Sequence, residues 1–464
     1  MGRDTSGIVP NSVQSGVDYM IPRAQPQSPA HPPRHRSIGR QLPLIGALAL
    51  AAAASSCVLG SSHAGARSTN TAASTVFDRS RPVPLTASEE SAPALQGLVR
   101  RFNPALALPE ADGPWPVDVS YSWSDGGDLH ARTVGAGGRT LDDRVVRPAA
   151  SLGGTAWNDL PTTDDGGHAI QYWVDAPGDD TAAPGGKTHW RERWRAIAGA
   201  DPARSAYPPT EYAHAFWLDR ANGRLAIQYW FYFPFNEWIN HHEGDWEHVQ
   251  VILEGHACAL EDATVVDRFH AIGYEFFFHG WRYQPQNVLR VRAMAPDGFA
   301  TGASNGDHVL VFTGGRGQFL WWKGSQSGGS YPLPARYAGA GSGVGPFRPA
   351  DDTRRPARFI PAESFRVVLL PEPRRLDTHA HPELSWLRLP FYAGAPHAQV
   401  NPPLMDALGG GSAPLQPAVR REWDAVDRHP RWTGRPLLDD TLAYLPRDWK
   451  LIGPSADGSQ LARR

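Results

Sequence analysis

Residues 225–235 read LAIQYWFYFPF, a run that is nearly all β-branched and aromatic apart from Gln228. Such a run predicts a strand, and it sets the fold class. Other runs repeat the signal. Trp246–Leu253 partly alternates, and His270–Phe278 and Phe365–Leu370 have the same character. Val309–Thr313 and Gln318–Trp322 flank Gly314-Gly315-Arg316-Gly317, which predicts a hairpin. Helical signals are short, at Trp190–Ala198 and Val419–Val426. No internal repeat is visible. The expected fold is mainly β, an antiparallel β-sandwich with long loops and a few short helices.

Length alone would suggest about three domains at roughly 150 residues each. Composition argues for one main domain. Gly (47) and Pro (43) together exceed their usual share of about 12%, and charged residues are only 20%. With Trp 17, Tyr 13 and Phe 17 the chain is loop-rich and aromatic-rich. That excludes a coiled coil, a helical solenoid and a wholly disordered chain. A net charge of −2 gives no field that favours nucleic acid.

The N-terminal region reads as a leader. Arg34, Arg36 and Arg40 precede the apolar run Leu42–Ala54. That run is too short for the roughly 20 residues of a bilayer span but suits a signal peptide. Ala64-Gly65-Ala66 fits a cleavage site, and Ala54-Ser55-Ser56-Cys57 fits a lipoprotein box in which Cys57 would be acylated. Met20 is an alternative start to Met1. The expected location is therefore outside the cell: secreted, periplasmic, or lipid-anchored at Cys57 with peripheral membrane contact. The two cysteines make no disulfide framework, and Cys258 is expected to be a buried apolar residue. The expected organisation is a leader over 1–66, a disordered linker over 67–98, a β-sandwich over 99–428 and an irregular tail over 429–464.

One segment carries the chemistry. Asn240-His241-His242-Glu243-Gly244-Asp245-Trp246-Glu247-His248 sits between two strands. Residues two apart in a strand share a face, so Asp245 and Glu247 point the same way, followed by Val249 and Val251. Two carboxylates on an apolar face need a counter-charge. His242 can fold back towards them across Gly244, and an imidazole with two carboxylates suits a divalent cation. Pairing with some of the chain's arginines is the plainer alternative. The order differs from the H-E-x-x-H protease signature, because Trp246 stands where its second His would be.

The stretch AIQYWFYFPFNEWINHHEGDWEHVQV (226–251) resembles the core of the vacuolar-protein-sorting-62-type family, which includes many plant proteins of unknown function. Looser matches are YEFFFHGWRY (274–283), HVLVFTGGRGQFLWW (308–322), the stretch 386–403 and RFNPALALPEADGPWPV (101–117), so the resemblance covers roughly residues 100–425. More remotely, the Asp-Trp-Glu segment resembles the G-H-R-H-D-W-E motif of the necrosis- and ethylene-inducing-peptide-like cytolysins. Those are secreted β-sandwiches that hold a divalent cation and bind sphingolipid head groups of plant membranes. That resemblance places His242, Asp245 and Glu247 on the cytolysins' metal-binding His, Asp and Glu. A further family Asp falls near Asn236 or Glu237. The second motif His falls on Gly244, and the cytolysins' disulfide is absent, so cytolysis is not implied.

His279 and His308, at strand ends, are further candidate metal ligands with Asn236. His241 and His248 are expected beside the metal ligands or exposed. Trp238 and His241 are candidate ligand-binding residues, with Trp238 placed to stack on a sugar or enter a membrane interface. Gly302-Ala303-Ser304-Asn305-Gly306 matches G-x-S-x-G but leads straight into a strand, which excludes a nucleophile elbow. The expected function is an exported protein that binds a divalent cation, calcium or magnesium rather than zinc, and recognises a glycan or lipid head group. No catalysis is required by that reading. The alternatives are a metal-dependent hydrolase with Glu243 or His241 as general base, and a purely structural or adhesive domain.

Overall fold

A computed structural model describes residues 82–124, 127–135, 140–148, 152–175, 186–237, 242–255, 260–285, 288–293, 308–315, 318–319, 322–323, 326–340, 350–394, 413–423, 430–434, 436–438 and 449–452. The chain divides into two units, 1–70 and 71–464. The first lies outside the described residues, and with it the expected leader and Cys57.

The first elements are β1 (Val83–Pro84), α1 (Ala87–Glu90), α2 (Pro93–Phe102) and β2 (Ala105–Leu108). Thr86 caps α1 in a capping box with Glu89, and Pro93 opens α2. Leu95, Leu98, Val99 and Phe102 recur at helical spacing and are all buried. Residues 82–98 are therefore not the disordered linker expected from their Ser/Thr/Ala/Pro content. The same residue types make caps and first turns, and the apolar spacing decides between the two.

Next come β3 (Asp128–Val134), β4 (Thr140–Pro148), β5 (Ala169–Asp175) and α3 (Gly186–Ala198), then β6 (Thr210–Asp219), β7 (Arg224–Asn236), β8 (His242–Glu254), β9 (His270–Phe278) and β10 (Trp281–Tyr283). They are followed by β11 (Arg290–Ala293), β12 (His308–Gly315), β13 (Gln318–Phe319), β14 (Trp322–Lys323), β15 (Gln326–Tyr331), β16 (Ala335–Tyr337), β17 (Asp351–Asp352), β18 (Arg358–Ile360), β19 (Arg366–Leu369), β20 (Phe391–Tyr392), β21 (Leu437–Leu438) and β22 (Trp449–Ile452). The structure is mainly β.

A seven-stranded sheet runs β1-β6-β7-β8-β9-β10, with β19 also on β6. A nine-stranded sheet runs β18-β2-β12-β17-β16-β21 and adds β15 and β11 on β12, with β22 on β11. A smaller sheet runs β20-β5-β3-β4. Most pairs are antiparallel; β2–β12, β6–β19 and β5–β20 are parallel.

Register explains why the run 225–235 is apolar throughout. Ala213, Tyr229, Val249 and Phe276 lie opposite one another on successive strands, as do Tyr212, Trp230 and His248 on the other face. The first face joins Leu106, Val309 and Val311 of the nine-stranded sheet in one core, and the Tyr229 hydroxyl donates to Val99 O of α2 at 2.9 Å. The second face is covered by a 3₁₀ turn, Pro382–Arg388, whose Trp386 packs on Tyr212 (5.7 Å between centroids) and Trp246 (5.9 Å). A strand covered on both faces does not alternate.

Three expectations are corrected. The hairpin lies one strand later: β13 pairs β14, whereas β12 pairs β15 and β2 and so has both edges taken. Val419–Val426 does not open a helix. Pro417–Val419 is a 3₁₀ turn, and Arg420 leaves it in an extended conformation; residues 424–426 lie outside the described residues. The tail after 428 is not wholly irregular, because β21 pairs β16, β22 pairs β11, and Trp432 is buried. No helix among the described residues is long and apolar enough to cross a membrane.

Candidate metal centre

β8 starts at His242, so most of the polar cluster stands within a strand. Its register against β7 runs from Asn236↔His242 to Arg224↔Glu254. Gly244 adopts φ +54°, and a Cβ there would lie 2.0 Å from Ala393 O. Only glycine permits both the left-handed backbone and that approach. Gly394 presses on the neighbouring residue, where a Cβ would meet Glu243 Cβ at 2.6 Å.

Asp245 and Glu247 share the inner face with Val249 and Val251, as strand alternation requires. That face meets β15. A Cβ on Gly328 (φ +69°) would lie 2.6 Å from Asp245 Oδ2 and 3.2 Å from Glu247 Cγ. The two acidic side chains therefore converge under a glycine, at the end of the space between the two large sheets. Asn236 Nδ2 donates to Asp245 Oδ2 at 2.8 Å. Both acids are buried.

A third carboxylate stands nearby. Asp351, on β17, is fully buried. Its Oδ2 accepts from Tyr331 Oη at 2.6 Å and from His279 Nε2 at 3.0 Å. His279 sits at φ +47°, a conformation uncommon outside glycine, in the tight turn between β9 and β10. Burial raises the Glu247 carboxyl well above its ordinary range. The Asp245 charge raises it further, Glu422 and Asp351 add to this, and Arg420 opposes it. Arg420 Nη1 donates to Trp246 O, and its Nη2 lies 3.4 Å from Glu422 Oε1. Burial, with Asp351, likewise pushes the Tyr331 hydroxyl up.

The oxygen-rich set suits a hard cation, and Gly328 brings its backbone against both acids where any side chain would collide with them. Among the described residues no three His, Cys, Asp or Glu side chains close on one point as a complete metal cage. The protein thus offers a carboxylate pair, with Asp351 beside it, rather than a closed site.

The remaining candidates are distributed as follows. The His242 ring is buried and its Nδ1 donates to Gly244 O at 2.8 Å, which places the proton of the neutral ring on Nδ1 and leaves Nε2 as the acceptor. His308 Nδ1 donates to Asn103 O at 2.8 Å, at the end of α2, and its Nε2 is 3.7 Å from Glu363. His248 is stacked between Trp230 and Phe277, 3.9 Å from each. Glu243 lines a small cavity with Ser122, Trp190, Arg193 and Tyr232. Trp238, His241, Cys258 and Gly302–Gly306 lie outside the described residues. Sequence reasoning missed Gly328, Tyr331, Asp351, Arg420 and Glu422. The Asp351-Asp352 doublet was the one local signal, and nothing in it says which acid turns inward.

No family model matches the chain, and no curated protein matches it. The resemblance to the vacuolar-sorting-type family therefore stands on the quoted motif alone. Among solved structures, that of the non-toxic HaNLP3 protein aligns with 62% of this chain and 77% of its own, at 15% identity and a TM-score of 0.21. That superposition is too loose to carry a residue correspondence.

Proposed function

We propose that this chain binds a divalent cation, calcium or magnesium, at Asp245 and Glu247, and through it recognises an oxygen-rich ligand, a glycan or lipid head group. The observation that carries this reading is the pair of buried acids pressed together under Gly328, with Asp351 beside them. Like charges in a buried site raise one another's proton affinity unless a cation intervenes. A hard cation takes about six to eight oxygens, so two or three protein carboxylates leave positions for water and for hydroxyl or phosphate oxygens of a ligand. Among the protein's own groups, Asn236 holds Asp245 in place, and Tyr331 and His279 hold Asp351. The same reading takes the chain out of the cell behind the leader at Leu42–Ala54, which N-terminal sequencing of the exported product would check.

The test is equilibrium dialysis with calcium and magnesium on wild type, Asp245→Asn and Glu247→Gln. It is followed by glycan arrays and vesicles of mixed glycosphingolipids, with cation or with chelator. Wild type should bind one cation, and both variants should lose it. Ligand binding should appear only with the cation. If wild type takes up no cation and chelator leaves its melting temperature unchanged, the acids share a proton instead and this function is wrong.

A further inference from the structure

A groove of about 560 Å³ runs along the β6 edge of the seven-stranded sheet. β19 forms part of its floor. Leu95 and Val99 of α2 stand on one side, and Leu376 and Leu384 on the other. α2 lies on the inner face of the sheet and the 3₁₀ turn holding Leu384 on the outer face, so the two walls bracket the edge of the sheet. Arg366 N donates to Pro209 O at 2.8 Å and Leu370 N to Ala213 O at 2.8 Å. In a parallel ladder successive residues face opposite edges, so the N–H and C=O of Val367 and Leu369 turn away from β6. Both residues line the groove and are only half-buried.

Most charge at the rim is already matched. Glu90 pairs with Arg375 at 2.6 Å, His381 stands 3.5 Å from Glu383, and Asp377 accepts from the backbone N–H of His379 and Ala380. Arg100 lines the groove, is exposed, and makes no ion pair among the described residues.

We propose that this groove receives an extended peptide of a partner protein, added as a strand to β19, with a carboxylate of the peptide on Arg100. Main-chain hydrogen bonds to Val367 and Leu369 would supply affinity, and alternate apolar side chains would enter the two walls. An acyl chain would fill the volume but would leave those backbone groups unmatched.

The test pans random heptapeptides displayed on phage against the full chain. Enriched peptides should alternate β-branched or aromatic positions and carry an acidic residue. They should protect the Val367 and Leu369 amides from hydrogen exchange, and bind Arg100→Glu about tenfold more weakly. Arg100 is exposed, so that variant folds. Val367→Pro, which removes one outward donor, should also weaken them; if it fails to fold, the exchange and Arg100→Glu readings decide. No enrichment overturns the proposal, and so do enriched peptides that bind Arg100→Glu unchanged and leave both amides unprotected. Binding of oleate in the groove, with no peptide enriched, would assign it to acyl chains and overturn the proposal as well.

Discussion

Glu247 and Glu211 are both raised by burial, but their surroundings differ. Glu247 has Asp245 and Asp351 beside it, and a cation there would lower it again. Glu211, on β6, is fully buried, and among the described residues neither carboxyl oxygen has a hydrogen-bond partner of ordinary geometry. Burial raises it well above its ordinary 4.5, and Asn103 opposes this only in part, its amide donating to Ala362 O. Glu211 therefore stays protonated in the folded protein at pH values where the unfolded chain has released its proton. The raised folded pKa makes its contribution complete below pH 4.5, and that contribution is lost as pH rises towards the folded value. Over that window wild type should lose about 1.4 kcal/mol of stability per pH unit from this group. Glu211→Gln should remove the slope. Urea unfolding of both proteins from pH 4.5 to 7 checks this; parallel curves would show that Glu211 is ionised in the fold.

At the scale of elements, β8 depends on two glycines, one within it and one across from it. Gly244→Ala would add a Cβ 2.0 Å from Ala393 O at a left-handed residue. The cost should be at least about 2 kcal/mol, combining backbone strain and overpacking. Denaturant unfolding gives the number, and a loss below about 0.5 kcal/mol would mean that the segment 393–394 yields freely. This element also shows what the sequence discloses. Strands β7, β8, β9 and β12 were legible because their apolar character is local. So was the shared face of Asp245 and Glu247, which needs only the two-residue period. The partners of those acids were not legible. Gly328 and Asp351 reach them through pairings of β15 and β17 with β12, set by contacts distant in sequence. The edge strands β21 and β22 were hidden by their Pro- and Arg-rich surroundings, since two to four residues carry too little pattern to read.

For the whole molecule, Trp386 ties separate parts together. It is buried and packs on Tyr212, Trp246 and Phe391, so it joins the 3₁₀ turn to the seven-stranded sheet and to β20 of the smaller sheet. Trp386→Ala should cost about 3–5 kcal/mol. Calorimetry should show two transitions in the variant if Trp386 is what couples the sheets, and one lowered transition if other contacts couple them.

The nine-stranded sheet also sets a timetable. Its central strand β12 needs β2, about 200 residues earlier in the chain, and β11 needs β22 at Trp449–Ile452. Chain closures of that length are slow to form. A polypeptide synthesised from its N-terminus cannot complete this sheet until residue 452 has cleared the ribosome. Until then, β11 lacks its β22 partner. The fold thus builds in an interval during which Asp245, Glu247 and Asp351 have all been made but the sheet behind them is still open, and in that interval a holding chaperone can engage the chain.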